Sequence, residues 1–177
     1  RLRNITGSRE VIAESPYVVP EDTLKAVPEP GTRSLETITH SYRDRHGKDV
    51  SCTTLAKLNP TDQFVGIEKY SSVLLRAIQK MEEDELPNLK FIRMDAEDID
   101  KVFGKGEVDR IYLNFSDPWP KDRHAKRRLP SRQFLARYDV ILKKGHTGIQ
   151  DRQPSSVRFA VEELEPAGWQ RSDHLRS

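Results

Sequence analysis

The sequence is poor in cysteine and glycine, and it lacks long apolar runs. Cys52 is the single cysteine, and nine glycines occur among 177 residues. One cysteine excludes an internal disulfide framework and a zinc site built on several thiolates, and it is typical of a reducing compartment. No stretch approaches the roughly 20 apolar residues of a membrane span, and no signal-peptide core follows the basic residues 1–3. We therefore expect a cytoplasmic protein.

The sequence also lacks a large excess of either charge, because 30 basic and 28 acidic side chains leave a net charge of only +2. Any signal for nucleic acid must therefore come from where the charges lie along the chain. Apolar residues make up 35% of the sequence and charged residues 33%, which is polar for a globular protein. The length nevertheless favours a single domain with a sizeable core.

Apolar strands and amphipathic helices alternate from residue 35 onward. The first 34 residues contain four prolines and predict a weakly ordered N-terminal extension with a short helix at 8–14. Expected strands lie at 35–39, 63–68, 89–95, 108–115 and, weakly, 146–149. Expected helices lie at 50–58, between a cap at Ser71 or Ser72 and Pro87, at 97–103, after a cap at Ser131, and at 157–169. Strand–helix alternation of this length predicts an α/β fold with a mostly parallel sheet and helices on both faces.

Acidic residues stand at or just beyond the ends of three consecutive predicted strands. They are Glu68, Asp95 and Asp117. Ligands of such sheets bind outside the carboxyl ends of the strands, where a carboxylate can accept both hydroxyl protons of a ribose. Glu68 suits that role, although a solvated acid at a strand end is the plainer alternative. Asp95 with Ala96 could face an adenine ring, and Asp95 also fits as the N-cap of the next helix.

The segment Asn114 to Lys121 is the most distinctive in the sequence. Two prolines flank a tryptophan and make the strand exit rigid, which would hold Asp117 and a planar ring for a flat, hydrogen-bonding substrate such as a base. Five basic residues follow within residues 121–128, opposed only by Asp122, and predict a phosphate-backbone site. These basic residues, with His124 counted as part of the patch rather than as a metal ligand, are Lys121, Arg123, His124, Lys126, Arg127 and Arg128.

These motifs together closely resemble the bacterial tRNA (guanine-N7-)-methyltransferases. The residues that carry the resemblance are 64–68, 112–121 and 126–129, within a near-continuous match from about residue 56 to residue 142. The resemblance implies a Rossmann-like class I methyltransferase that uses S-adenosylmethionine to methylate a guanine in the variable loop of tRNA. It also implies a methyltransferase domain over residues 35–177, with the C-terminal part of the family's domain missing.

The resemblance assigns roles by motif. Glu68, Asp95 and Ala96 would bind the ribose and adenine parts of the cofactor, and Asp117 would be the catalytic-site acid next to it. Lys121 would touch the substrate, and the basic patch would bind RNA. Asp151 matches the family's substrate acid after the fifth strand. No metal is implied, and we expect a monomer or a homodimer.

One departure from the family concerns the cofactor loop. The family has an acid followed by a Gly-x-Gly-x-Gly pattern after its first strand, whereas the matching residues 43–49 keep only Gly47 and Lys48. Gly47 is then the remaining glycine for cofactor contact. The degraded loop leaves a second hypothesis open, an impaired methyltransferase fold that only binds RNA. A Rossmann oxidoreductase is a third, and it fits least because it would need the glycines even more.

Overall fold

A parallel β-sheet forms the centre of the computed structural model. The model describes the backbone of residues 7–19, 33–38, 42–43, 49–50, 52–114, 128–144, 148–151 and 161–169, and the side chains of 7–19, 52–113, 128–144 and 161–169. The strands within these residues are β1 (Arg33–Ile38), β2 (Tyr42–Arg43), β3 (Asp49–Val50), β4 (Gln63–Glu68), β5 (Leu89–Arg93), β6 (Arg110–Asn114) and β7 (Gly148–Asp151). Five of them form one sheet in the order β5-β4-β1-β6-β7, with every neighbouring pair parallel.

Helices cover both faces of this sheet. They are α1 (Ser8–Glu14), α2 (Cys52–Leu58), α3 (Ser71–Asp84), α4 (Ile99–Val102) and α5 (Arg132–Ile141), and a further helical segment at 161–164 continues into a 3₁₀ turn at Glu165–Ala167. Alternate strand residues point to opposite faces, so Phe64 packs with α1, α2 and α3 while Ile67 packs with α4 and α5. The predicted α/β fold with helices on both faces is confirmed.

The strand order reverses direction at β1. The chain passes from β1 outward to β4 and β5, then returns to pair β6 on the opposite side of β1. In sheets of this kind the connections leave β1 and β6 toward opposite faces, which opens a crevice at the carboxyl ends of the strands. The residues that end the five strands therefore lie along the edge where a ligand is expected.

Two local predictions are corrected. The expected helix start at Val50 is wrong, because Asp49–Val50 pairs antiparallel with Tyr42–Arg43 and α2 begins at Cys52. The expected cap of α3 by Ser71 or Ser72 is also wrong. Tyr70 is the N-cap residue in an extended conformation, which places Ser71 inside the first turn. By contrast, Ser131 is the N-cap of α5, as predicted.

A short segment before the first strand runs along the outer edge of the sheet. Val18 forms a parallel bridge with Phe91 of β5, the N–H of Val19 donates to Phe91 O at 2.8 Å, and the N–H of Phe91 donates to Tyr17 O at 2.8 Å. Lys90 Nζ donates to Pro16 O at 3.1 Å and lies 5.8 Å from the centre of the Tyr17 ring. Residues 17–19 thus pair with the outward-facing N–H and C=O of Phe91 in the middle of β5.

A buried amide fixes the turn that leads into β4. Asn88 Nδ2 lies 3.0 Å from Ala56 O, 3.1 Å from Asn59 O and 3.0 Å from Asp62 O, while Asn88 O accepts the N–H of Phe64 at 2.8 Å. These contacts join the end of α2, the α2–β4 turn and the residue before β5. They hold the start of β4 beside the start of β5, and β4 runs from there to Glu68 at its carboxyl end.

Candidate functional site

Glu68 ends β4 as a buried acid. Glu68 is 2% exposed, and its Oε1 accepts a hydrogen bond from the backbone N–H of Tyr70 at 2.7 Å. Tyr70 caps α3, so the carboxylate also lies at the positive end of a helix whose first N–H groups lack partners within the helix. A buried carboxylate needs donors of this kind, because burial penalises its charged form. The chain thereby keeps an acceptor-rich side chain at the edge of the sheet.

Asp95 lies at the end of the neighbouring strand. Glu68 and Arg93 are register partners, and the N–H of Met94 donates to Glu68 O at 3.2 Å, which continues the pairing up to Asp95. Asp95 is the N-cap of the 3₁₀ turn Ala96–Asp98, and its Oδ1 accepts the N–H of Glu97 at 3.1 Å. The predicted N-cap role of Asp95 is confirmed. Ala96, 7% exposed, opens that turn directly beside it.

Lys69 adds a cation to this corner of the site. Its Nζ lies 2.5 Å from Asp95 Oδ2, and the side chains of Lys69 and Asp95 are 60% and 35% exposed. Burial alone would raise the pKa of Asp95, but the hydrogen bonds from Lys69 and from the Glu97 N–H outweigh it and lower the pKa. The same hydrogen bond raises the pKa of Lys69. The pair therefore stays charged across the ordinary pH range.

The other half of the edge is described by its backbone. Asn114 ends β6 beside Ile38 of β1, and Asp151 ends β7 one residue beyond the level of Tyr112, opposite Leu113. The structure thus brings Glu68, Asp95 and the position of Asp151 to one edge of the sheet. Asp117, Gly47, Lys121, Arg123, His124, Lys126 and Arg127 lie outside the described residues.

Arg128, the last residue of the basic patch, is the one patch residue that lies within the described part of the chain. It is half-buried, and its O accepts the N–H of Ser131 at 2.9 Å just before α5. Glu163 lies at the same place, because its Oε2 accepts the Arg132 N–H at 2.9 Å and Arg132 Nε at 3.2 Å. Burial opposes the ionisation of Glu163, but Arg132, helped by Arg128, lowers its pKa. Glu163 therefore holds the segment 161–169 against the N-terminus of α5, shortly after the end of the basic patch.

Three residues of this region were missed by the sequence reasoning. Lys69 and Tyr70 directly follow Glu68, so their positions beside a predicted site acid were a usable signal. Glu163 gave no such signal, because it lies 31 residues from Arg132 in sequence. Among the described residues, no group of three or more His, Cys, Asp or Glu could hold a metal ion. Within the same residues, no helix is long and apolar enough to cross a membrane.

The residues present fit S-adenosylmethionine. A ribose diol needs an acceptor held at a strand end, and Glu68 supplies a carboxylate there with Oε1 already fixed by the Tyr70 N–H. An adenine needs an acceptor for its amine and an adjacent backbone N–H, and Asp95 with Ala96 supplies both types of group in the 3₁₀ turn that follows the next strand. The donor and acceptor types on these two neighbouring strands therefore match the nucleoside half of the cofactor.

Comparison with known proteins agrees with this geometry. Residues 46–148, more than half of the chain, match a family model described as "Putative methyltransferase". The tRNA (guanine-N(7)-)-methyltransferase of Lachnoclostridium phytofermentans is 49% identical over 98% of this chain and 81% of its own length. The enzyme of the same name from Geobacillus thermodenitrificans is 45% identical over 96% of this chain and 79% of its own length.

The fold is similar to that of solved methyltransferases. The crystal structure of TrmN from Thermus thermophilus superposes with a TM-score of 0.53 at 23% identity, over 79% of this chain and 40% of that chain. At this identity the likeness speaks for the fold alone, and it agrees with the predicted Rossmann-like class I methyltransferase fold. The sequence relatives are far more similar and span nearly the whole chain. The chain belongs to the tRNA (guanine-N7-)-methyltransferase family.

Proposed function

We propose that this chain transfers the methyl group of S-adenosylmethionine to N7 of a guanine in the variable loop of tRNA. The observation that carries the proposal is the pair of acids, Glu68 and Asp95, at adjacent strand ends in a chain with this family membership. The chemistry of tRNA modification also favours a cytoplasmic site of action. The oligomeric state, monomer or homodimer, stays a prediction.

The reaction asks the chain for alignment more than for proton transfer. Guanine N7 presents an in-plane lone pair and carries no proton, so a general base has nothing to remove. The cofactor supplies a methyl group on a sulfonium sulfur. With the cofactor bound, the new N–C bond would form as the C–S bond breaks, and the positive charge would pass from sulfur to the guanine ring. Holding the two reactants in line is therefore the main contribution of the protein.

Each predicted residue has a part in this arrangement. Glu68 would accept the ribose hydroxyls, Asp95 the adenine amine, and the Ala96 N–H would donate to an adenine ring nitrogen. Gly47 would let the backbone approach the cofactor. Asp117 would accept hydrogen bonds from the guanine edge or the cofactor amine, which favours the developing cation electrostatically.

The RNA would be held beside the same edge of the sheet. Lys121 and Asp151 would contact the substrate nucleotide. The basic patch would neutralise backbone phosphates and position the tRNA without reading its sequence. The patch members for this role are Arg123, His124, Lys126, Arg127 and Arg128.

A methyl-transfer assay tests the proposal. The chain is incubated with labelled S-adenosylmethionine and an unmodified tRNA transcript, and the RNA is digested to nucleosides. We expect 7-methylguanosine from the normal transcript and none from a matched transcript made with 7-deazaguanosine, which has no N7. RNA and S-adenosylhomocysteine binding without transfer would overturn the proposal and favour the non-catalytic RNA-binding alternative.

A further inference from the structure

A lysine joins the ends of β4 and β5 at the adenine side of the site. Lys69 follows Glu68 directly and reaches across to Asp95, 26 residues later in sequence, with Nζ 2.5 Å from Oδ2. The parallel register that pairs Glu68 with Arg93 brings the two side chains together. The contact thus depends on the register of the sheet, and it joins the residue after one predicted cofactor-binding acid to the other acid.

The pair leaves Asp95 with unused acceptor capacity. A carboxylate has about four lone-pair positions on its two oxygens. The Glu97 N–H takes one position on Oδ1 and Lys69 takes one on Oδ2, so each oxygen is fixed by a protein donor. The Asp95 side chain is still 35% exposed. A further donor can therefore reach a carboxylate whose plane is already set.

We propose that Lys69 is a positioning residue that makes the site select adenine over hypoxanthine by holding the Asp95 carboxylate in one orientation. This inference rests on the proposed function, because it assumes that the site binds the nucleoside of S-adenosylmethionine. The adenine amine would donate to the held carboxylate. Hypoxanthine presents an oxygen at the same ring position, and two acceptors facing each other repel.

Without Lys69, Asp95 would be free to turn. Oδ1 would still accept the Glu97 N–H, but Oδ2 would no longer be held by Lys69. Turning Oδ2 away from a hypoxanthine oxygen would then cost less free energy than in the wild type. The penalty against the wrong base would then fall, together with the gain for the right one. The fold should survive the change, since a pair exposed to this degree contributes little to stability.

The charged surroundings of Asp95 support the same view. Lys69 faces it from the β4–α3 connection, Arg137 faces it from α5, and Glu97 lies on its own turn. Removing Lys69 leaves Arg137 as the remaining favourable cation among these groups. The pKa of Asp95 should then rise from its lowered value toward the ordinary range, which carboxyl-detected NMR of the full chain can follow.

Calorimetry on the full chain tests the inference. The ligands are S-adenosylhomocysteine and S-inosylhomocysteine, and the proteins are wild type, Lys69→Met, Lys69→Arg and Lys101→Met. Lys101 is the matched control, because it too is an exposed lysine 2.5 Å from an aspartate, Asp98, outside the acid pair. We expect Lys69→Met to narrow the adenine preference about tenfold, Lys69→Arg to restore it, and Lys101→Met to leave it unchanged.

The outcomes separate this inference from the proposed function. If Lys69→Met weakens both ligands equally, or leaves the preference as in wild type, Lys69 has a purely structural role and the inference is overturned. If the wild-type chain binds neither ligand, the proposed function fails as well. Wild-type binding of S-adenosylhomocysteine with an unchanged preference in Lys69→Met would sink the inference alone.

Discussion

The backbone N–H of Tyr70 donates to Oε1 of Glu68 at 2.7 Å, so the residue that caps α3 also fixes the acid that ends β4. One hydrogen bond links the start of a helix to the orientation of a carboxylate. Movement of the α3 N-terminus would therefore move Glu68, so α3 helps to position the carboxylate that we propose binds the cofactor.

Glu68→Gln should weaken S-adenosylhomocysteine binding by one to two orders of magnitude. A neutral amide would replace a charged acceptor, and a hydrogen bond to a charged group contributes about 1.5–3 kcal/mol. Titration calorimetry measures the loss. Asp98→Asn is the control, since Asp98 pairs with Lys101 outside the acid pair. Equal affinity in Glu68→Gln and Asp98→Asn would remove Glu68 from the cofactor site.

Asp117→Asn should lower kcat without removing a base from the pH profile. The reaction takes no proton from guanine N7, so we expect rate against pH to keep the same shape between about pH 6 and 9 in both proteins. Single-turnover methyl transfer at saturating tRNA measures the rate. A wild-type profile that requires one deprotonated group near neutrality, lost in Asp117→Asn, would contradict this role.

Replacing Lys126, Arg127 and Arg128 by Ala should flatten the salt dependence of tRNA binding. Each phosphate contact contributes nearly one unit to the slope of log K against log salt, so we expect a change of about two to three units. Fluorescence titration across several salt concentrations gives the slope. The control variant replaces Lys57, Lys101 and Lys143 by Ala and so removes the same amount of positive charge. These lysines lie outside the patch and pair with Asp84, Asp98 and Asp109. If both triple variants behave alike, the patch does not hold the RNA.

Glu163→Gln should destabilise the fold near neutral pH and lose that effect in acid. The folded-state pKa of Glu163 is lowered, so its contribution is present above the unfolded value near 4.5 and disappears as the pH falls through the folded value. We expect a difference of about 0.5–1 kcal/mol at pH 7 from urea unfolding, shrinking below about pH 4.5. A difference that grows in acid would show the opposite sign of coupling.

Asn88→Ala should destabilise the fold by about 2–3 kcal/mol, because it leaves buried carbonyl groups without their donor. Asn59→Ala is the matched control, since its Nδ2 donates to one carbonyl, that of Leu55. It should cost about 1 kcal/mol. Denaturant unfolding compares the two variants. Equal losses of unfolding free energy would show that the three carbonyl contacts of Asn88 stabilise the fold no more than a single hydrogen bond does.

Local patterns predicted those elements that depend on neighbouring residues. The bounds of β4 follow from an apolar run that ends in an acid, and the sequence prediction of 63–68 matches them. The N-cap of α3 was mispredicted, because serine hydroxyls such as those of Ser71 and Ser72 are the usual caps. In the structure the N-cap is Tyr70, one residue before Ser71, and its N–H donates to the Glu68 carboxylate. Tertiary pairs such as Lys69 with Asp95 depend on the register of two strands, which no local pattern contains.

The segment 16–19 gives the sheet a border that is not itself a strand. β5 would otherwise present the N–H and C=O of Phe91 to solvent, and such an open edge can pair with another chain. Lys90 on the same edge carries a charge that a second sheet would have to bury. Because a stretch of only a few residues occupies the middle of that edge, its removal would uncover backbone groups with which another β-strand can pair.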